Sequence, residues 1–345
     1  MRFLLSRDRH APAWRVSLLL SVFSLVAARA EIFILPTPNR SLLESGPSEK
    51  FLVGTTGKPW QSGGFGCVRS EGFKMHEGLD IRCTKRDKRG EPIDPIFASA
   101  SGTVAYINTN PGLSNYGRYV VLRHQIEGLE ICTLYAHLSA VADGLAIGNA
   151  VKQGQVIATM GRTANTREGI SKERAHCHFE IDFELTDRYA QWHAKFTPGV
   201  RNDHGNWNGH NLAAVDPQAI LLAQAREGAG FSLAKQLRER KEICRVFVRD
   251  ARFPFLKHYP GLVKRNPAAE KEGAVGYEIA LDFNGAPIEL IPRAATEIRG
   301  SERIQLLSVN EPEAQKHHCS HLVAKARAGW ALTNAGQQHV ELIVY

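Results

Sequence analysis

Between about residues 66 and 185, short runs are rich in Val, Ile, Tyr and Phe, and Gly or Asn breaks each run. Such runs predict β-strands, the clearest at 102–108, 118–125, 129–139, 156–160 and 176–183. No long helical period competes, so an antiparallel β-sandwich or half-open barrel is expected. After residue 215 the pattern changes. Residues 216–224 and 231–242 read as helices, the second with a basic face, and 226–230 as a Gly-containing hinge. Strand-like runs at 243–249, 276–283, 288–291 and 304–309 then predict a small α+β unit. The expected layout is a β domain over 31–228, with its core at about 50–222, and an accessory domain over 236–345. On that layout a fragment ending near 230 folds alone. Two stretches read as insertions, 163–175, and 187–214 with Trp192, His193, His204, Trp207 and His210; such loops either line a binding groove or decorate the surface.

The first thirty residues change the cellular picture. Arg2, Arg7, Arg9 and Arg15 precede the twelve-residue apolar run 16–27, and Ala28-Arg29-Ala30 follows. This is the pattern of a cleaved export signal, and the run falls short of the about 20 residues of a membrane span. The mature protein is expected to start at Glu31, to be periplasmic or extracellular, and not to be an integral membrane protein. The net charge is +8, of which five Arg and one Asp in residues 1–30 contribute half. The remaining +4 suits an anionic wall, and no basic helix, zinc finger or aromatic motif points to nucleic acid. All six cysteines lie beyond residue 30, where export would permit oxidation. Cys132 and Cys177 sit out of phase with the nearby histidines, so they are expected to face away from them, either against each other or as buried thiols.

Two histidine motifs a hundred residues apart carry the chemistry. His76-Glu77-Gly78-Leu79-Asp80 and His176-Cys177-His178-Phe179-Glu180 each fit a strand. Side chains at i, i+2 and i+4 share a face, which groups His76, Gly78 and Asp80, and likewise His176 and His178. Two imidazoles and a carboxylate with an open fourth position make the ligand set of a catalytic zinc. Leu134-Tyr135-Ala136-His137-Leu138 lies between them. With these three motifs in order, and with 96–104, 116–124, 151–157 and Asp216-Pro217, the chain resembles the LytM/lysostaphin-type zinc metallopeptidases of bacterial cell walls over about residues 50–222. The resemblance implies a compact β core of the duplicated hybrid-motif kind, with one zinc per chain on His76, Asp80 and His178. It implies His137 and His176 as unligated catalytic histidines that manage the proton of the attacking water and the leaving amine. Peptide cross-links or stem peptides of peptidoglycan are the implied substrate.

Two features depart from that family's pattern. The loop before His176 is long and charged and ends in Ala175, and the middle residue of H-x-H is Cys177. Rival readings are a LytM-like module that binds wall and activates another hydrolase, an H-E-x-x helix enzyme with Glu77 as base, and a wall carboxypeptidase. The first would lack metal ligands. The second would need a helix through Gly78, at about 1 kcal/mol against Ala. The third would space its first ligand pair more widely. His124 reads as structural, and the spacing of His317, His318, Cys319 and His321 fits no standard zinc pattern.

Overall fold

The structure, a computed structural model, describes residues 31–345; the expected export signal lies outside the described residues. The central sheet has seven strands. Along the sheet run β12 (Leu212–Val215), β11 (His176–Glu184), β7 (Leu129–Ala136), β6 (Tyr119–Ile126), β5 (Gly102–Asn108) and β9 (Ala150–Val151), with β3 (Leu79–Arg82) pairing the start of β11. Every pairing is antiparallel. A hairpin of β1 (Gly66–Arg69) and β2 (Lys74–His76) flanks it. A three-stranded sheet of β4 (Pro95–Phe97), β10 (Val156–Thr159) and β8 (Ala140–Val141) packs nearby. The strands expected beyond residue 95 are all present, and the described residues are mainly antiparallel β with no closed barrel.

One face of the central sheet is the core. Val120, Leu122, Ile131, Tyr135, Cys177, Phe179, Ile181 and Phe183 all point into it and are fully buried. Tyr135 belongs to this core rather than to the histidine site: its hydroxyl accepts from the Ser99 N–H at 2.8 Å. The other face carries Tyr119, Val121, Cys132, Leu134 and Leu212 as a second, smaller cluster. Cys132 and Cys177 therefore lie on opposite faces of the sheet, and both are free thiols. The expectation that both face away from the histidines is corrected for Cys132. β7 ends at Ala136, and His137 has φ +61°, so the alternation cannot be counted through it.

The C-terminal half forms a four-stranded antiparallel sheet of β13 (Cys244–Val248), β14 (Gly276–Leu281), β15 (Pro287–Arg293) and β16 (Ile304–Val309), ordered β15-β14-β13-β16. A hairpin of β17 (Val323–Ala326) and β18 (Gly329–Leu332) and the helix Asn334–Ile343 complete it. The helix Pro217–Glu227 begins at Asp216, whose carboxylate accepts from the N–H groups of Gln218 and Ala219. The expected basic helix is shorter, Leu233–Arg238, and Arg240 beyond it is drawn into a buried ion pair with Asp282. The main hydrophobic cluster runs without a break from Phe33 to Val344. Phe183 of the central sheet packs on Phe255 and Tyr259, and the Tyr259 hydroxyl accepts from the Glu184 N–H at 2.8 Å. A disulfide, Cys67–Cys319, joins the β1–β2 hairpin to the C-terminal half. Among the described residues no helix is long and apolar enough to cross a membrane.

Candidate active site

The first motif is not one strand. β2 ends at His76 and β3 starts at Leu79, and the chain changes sheet across Glu77-Gly78. Glycine is required at 78 by close approach: a Cβ there would sit 2.4 Å from the Phe179 carbonyl oxygen. Its role is thus to let β3 dock on β11, not to leave room between His76 and Asp80. That docking places Asp80 directly opposite His178 in the ladder. β11 supplies His176 and His178 on one face by strict alternation.

His76 Nε2, Asp80 Oδ1 and His178 Nδ1 lie 3.0–3.1 Å from one another, and all three side chains are buried. His76 Nδ1–H donates to the Gly64 carbonyl at 2.7 Å, which leaves its Nε2 a bare lone pair. His178 Nε2–H donates to Glu180 Oε1 at 2.6 Å, which leaves Nδ1 bare. Three buried acceptors thus converge with no donor of their own. Such a set demands a cation. Tetrahedral zinc, with bonds of about 2.0–2.2 Å, holds its ligand atoms about 3.4 Å apart, close to the spacing here. His76, Asp80 and His178 therefore fit zinc, and they form the one metal-competent cluster among the described residues.

The electrostatics agree. Burial opposes charge on Asp80, but His176 and His76 beside it hold its carboxyl well below the usual range. Burial also opposes charge on His178, yet hydrogen bonds to Asp80 and Glu180 lift it to about 10, so without a metal a proton takes the cation's place. Burial lowers His76 despite the pull of Asp80. Asp80 Oδ2 is held by the Arg69 guanidinium at 2.5 Å.

His137 and His176 stand beside this cluster. Their rings are 4.7 Å apart, edge to face. His137 Nδ1–H donates to the Thr163 carbonyl at 2.9 Å, so it offers Nε2 as a base, whereas His176 is engaged on both sides, Nδ1 with the Arg174 carbonyl at 2.6 Å and Nε2 with Asp80 Oδ1 at 3.3 Å. Burial, then the neighbouring His176 and His178, push the His137 pKa well below its ordinary value. The left-handed backbone of His137 is fixed by its N–H donating to the Tyr116 carbonyl and by Gly117, φ +61°, where a Cβ would sit 2.2 Å from the Thr163 carbonyl oxygen.

All five expected site residues are brought together. Three supporting residues carry no role in the sequence reading: Arg69, Glu180 and Tyr116. Tyr116 O–H donates to Glu180 Oε1 at 2.9 Å, so Glu180 orients His178 and is itself oriented. Glu180 was findable, since it lies two residues past His178 on the same strand face. His124 is structural, buried between the Ser101 carbonyl and the Thr133 hydroxyl. Cys319 is committed to the disulfide and is no metal ligand. The insertion 187–214 contains the helix Tyr189–Phe196 and covers the sheet face that carries Glu180 and Glu184: Tyr119 O–H donates to the Trp207 carbonyl, and Asn206 donates to Glu184.

The model of peptidase family M23 matches residues 74–190. No curated protein matches the chain. Among solved structures, the chain is similar to Helicobacter pylori Csd3 in its orthorhombic crystal, with 26% identity over 31% of this chain and 23% of that one and a TM-score of 0.23. It is similar to a zinc-containing peptidase from Vibrio cholerae, with 27% identity over 31% of this chain and 26% of that one and a TM-score of 0.23. It is also similar to the lysostaphin catalytic domain from Staphylococcus simulans, with 24% identity over 34% of this chain and 75% of that one and a TM-score of 0.25. The chain spans about a quarter of the length of the first two. Across residues 74–190, which hold His76, Asp80, His137, His176 and His178, the chain carries a domain of peptidase family M23.

Proposed function

We propose that the chain is an exported zinc metalloendopeptidase that hydrolyses peptide bonds in bacterial peptidoglycan. The observation that carries the reading is the set of three donor-free acceptors, His76 Nε2, Asp80 Oδ1 and His178 Nδ1, with two further imidazoles at its edge. Zinc bound there would supply Lewis-acid activation of water and of the scissile carbonyl. The chain's own residues do the rest. His137 presents its Nε2 toward the site, which suits it to accept the water's proton, and His176, whose Nε2 stands beside Asp80, is placed with it to pass that proton to the leaving amine. Glu180 and the Gly64 carbonyl hold the two ligand imidazoles in the tautomers that leave their metal-facing nitrogens free. Arg69 keeps the second carboxylate oxygen of Asp80 occupied, so that Oδ1 faces the centre. The M23 match supports a peptidoglycan peptide as substrate, and the Cys67–Cys319 bridge supports an oxidising compartment outside the cytoplasm. The full ligand set favours catalysis over a binding module without metal.

The test is mass spectrometry of purified peptidoglycan after digestion. Wild-type protein should release new peptide ends, and chelation or Asp80→Ala should abolish them together with bound zinc. His137→Ala and His176→Ala should keep zinc and lose about 10²–10⁴-fold in turnover. Full zinc occupancy in Asp80→Ala, or wild-type digestion by chelated protein, would overturn the assignment.

A further inference from the structure

β11 carries His178 in a line of polar side chains. Residues two apart on a strand share a face, so His178, Glu180, Asp182 and Glu184 stand in one row. Three of the four have partners. His178 and Glu180 hold each other, and Glu184 takes the Arg123 guanidinium at 2.6 Å and the Asn206 amide at 3.1 Å. Asp182 is the exception. It is 0% exposed, and neither of its carboxyl oxygens has a hydrogen-bond partner among the described residues.

What surrounds Asp182 is acidic. Glu180 lies beside it, close enough for the two carboxyl groups to share a hydrogen, and Glu77 from the link between β2 and β3 adds a second negative charge. Across the ladder its neighbours are Cys132 on β7 and Ala214 on β12, and burial holds the Cys132 thiol neutral. The Arg123 guanidinium is engaged by Glu130 and Glu184. A buried carboxylate with neither cation nor donor does not keep its charge. Burial first, then Glu180, push the Asp182 carboxyl well above its ordinary range. A neutral carboxylic acid has an O–H to donate, and the acceptor within reach is Glu180. The proton belongs on Asp182 because Glu180 already has two donors that favour its ionised form, the His178 Nε2–H at 2.6 Å and the Tyr116 O–H at 2.9 Å. Both reach Oε1, which leaves Oε2 for a third.

We propose that Asp182 is a protonated positioning residue whose O–H donates to the Glu180 carboxylate and, through it, fixes the ring of His178. Three donors on one carboxylate hold it in a single orientation and keep it ionised. His178 then keeps its Nε2 proton against Glu180 and turns the bare Nδ1 toward Asp80 and the centre. An ionised Asp182 would instead repel Glu180 along the same row. The protonated state of Asp182 stands on its own surroundings, whereas the positioning role rests on the zinc reading above.

The test has two arms, both on the full-length protein. Infrared difference spectroscopy at pH 7 reads the C=O stretch of an un-ionised carboxylic acid, and Asp182→Asn should remove one such band. Zinc competition with a chromophoric chelator reads the positioning. Asp182→Asn keeps an N–H donor for Glu180, and Asp182→Val keeps the volume and the strand preference without a donor. The zinc Kd should stay within about twofold of wild type in the first and rise about tenfold in the second. A residue that only fills space would be replaced at least as well by Val as by Asn. No acid band lost in Asp182→Asn, equal zinc affinity in the two variants, or a weaker affinity in Asp182→Asn than in Asp182→Val would each overturn the proposal. A wild type that takes up no zinc would refute the zinc reading and the positioning role with it, while the acid band would still decide the protonation of Asp182.

Discussion

Breaking the Cys67–Cys319 bridge should loosen the metal site from the far end of the chain. Cys67 lies on β1, whose partner strand ends at His76, and two residues before Arg69, which holds Asp80. On the other side, the segment around Cys319 grips the same hairpin: His318 stacks on Phe73, and His317 stacks on Phe283, which meets Phe65 edge-on. The bridge closes a loop 252 residues long. On the chain-entropy account, a loop of that length gives a stabilisation of about 5 kcal/mol, which is a ceiling. At roughly 2 °C per kcal/mol for a chain of this size, the melting midpoint should fall by up to about 10 °C. The stacking contacts survive the change, so the hairpin should loosen rather than detach. We expect the zinc Kd to rise about tenfold, the equivalent of about 1.4 kcal/mol of ordering that the metal must now supply. The assay compares wild type, the double variant Cys67→Ser/Cys319→Ser and reduced wild type by scanning calorimetry and by zinc competition with a chromophoric chelator. The double variant leaves no lone reactive thiol, and the other four cysteines are buried. A midpoint within about 2 °C of wild type together with an unchanged zinc Kd would refute the reasoning, because the bridge would then hold nothing the metal site uses.

Glu180→Ala should weaken zinc about 10–100-fold by freeing the His178 ring, and an unchanged affinity in chelator competition would rule out that orienting role. His124 should make the fold acid-sensitive. Burial lowers its pKa to about 4, below the unfolded value near 6.5, so the unfolded chain binds the extra proton first. Its contribution is complete above pH 6.5 and falls as pH drops toward 4, by about 3 kcal/mol in all. Urea unfolding at pH 7 and pH 4.5 should show a shallower loss in His124→Gln than in wild type, and equal losses would remove His124 as the cause. Truncation after Gly230 removes Phe255 and Tyr259 from Phe183, and Cys319 from Cys67. The fragment should be insoluble or lack a cooperative unfolding transition, whereas a soluble fragment with a sharp transition would show that the halves separate.

The longer strands were legible because alternation is a local property that the ladder enforces: β5 and β16 fall where the pattern puts them, and the other expected strands start or stop within a few residues of it, whereas short ones such as β1, β4, β8 and β12 carry too few positions to show a period. The same alternation made His176 and His178 legible as neighbours, and it extends to Glu180. It failed wherever the backbone leaves the strand. The His76–Asp80 motif breaks at Glu77-Gly78 and joins two sheets, so its grouping comes from β3 docking on β11 and not from one strand's face. His137 sits just past the end of β7 in a left-handed conformation, which defeats any count of phase from Cys132. These breaks coincide with the site for a physical reason. A regular strand can offer side chains on one line only, whereas three ligand atoms within about 3 Å must approach from several directions. Strand ends and a left-handed residue provide those directions, at a backbone cost of order 1–3 kcal/mol that surrounding contacts must offset. Arg69 and Cys67 were illegible for the complementary reason. Their partners, Asp80 and Cys319, are chosen by how the β1–β2 hairpin lies against the rest of the molecule, and nothing in the local pattern encodes that placement.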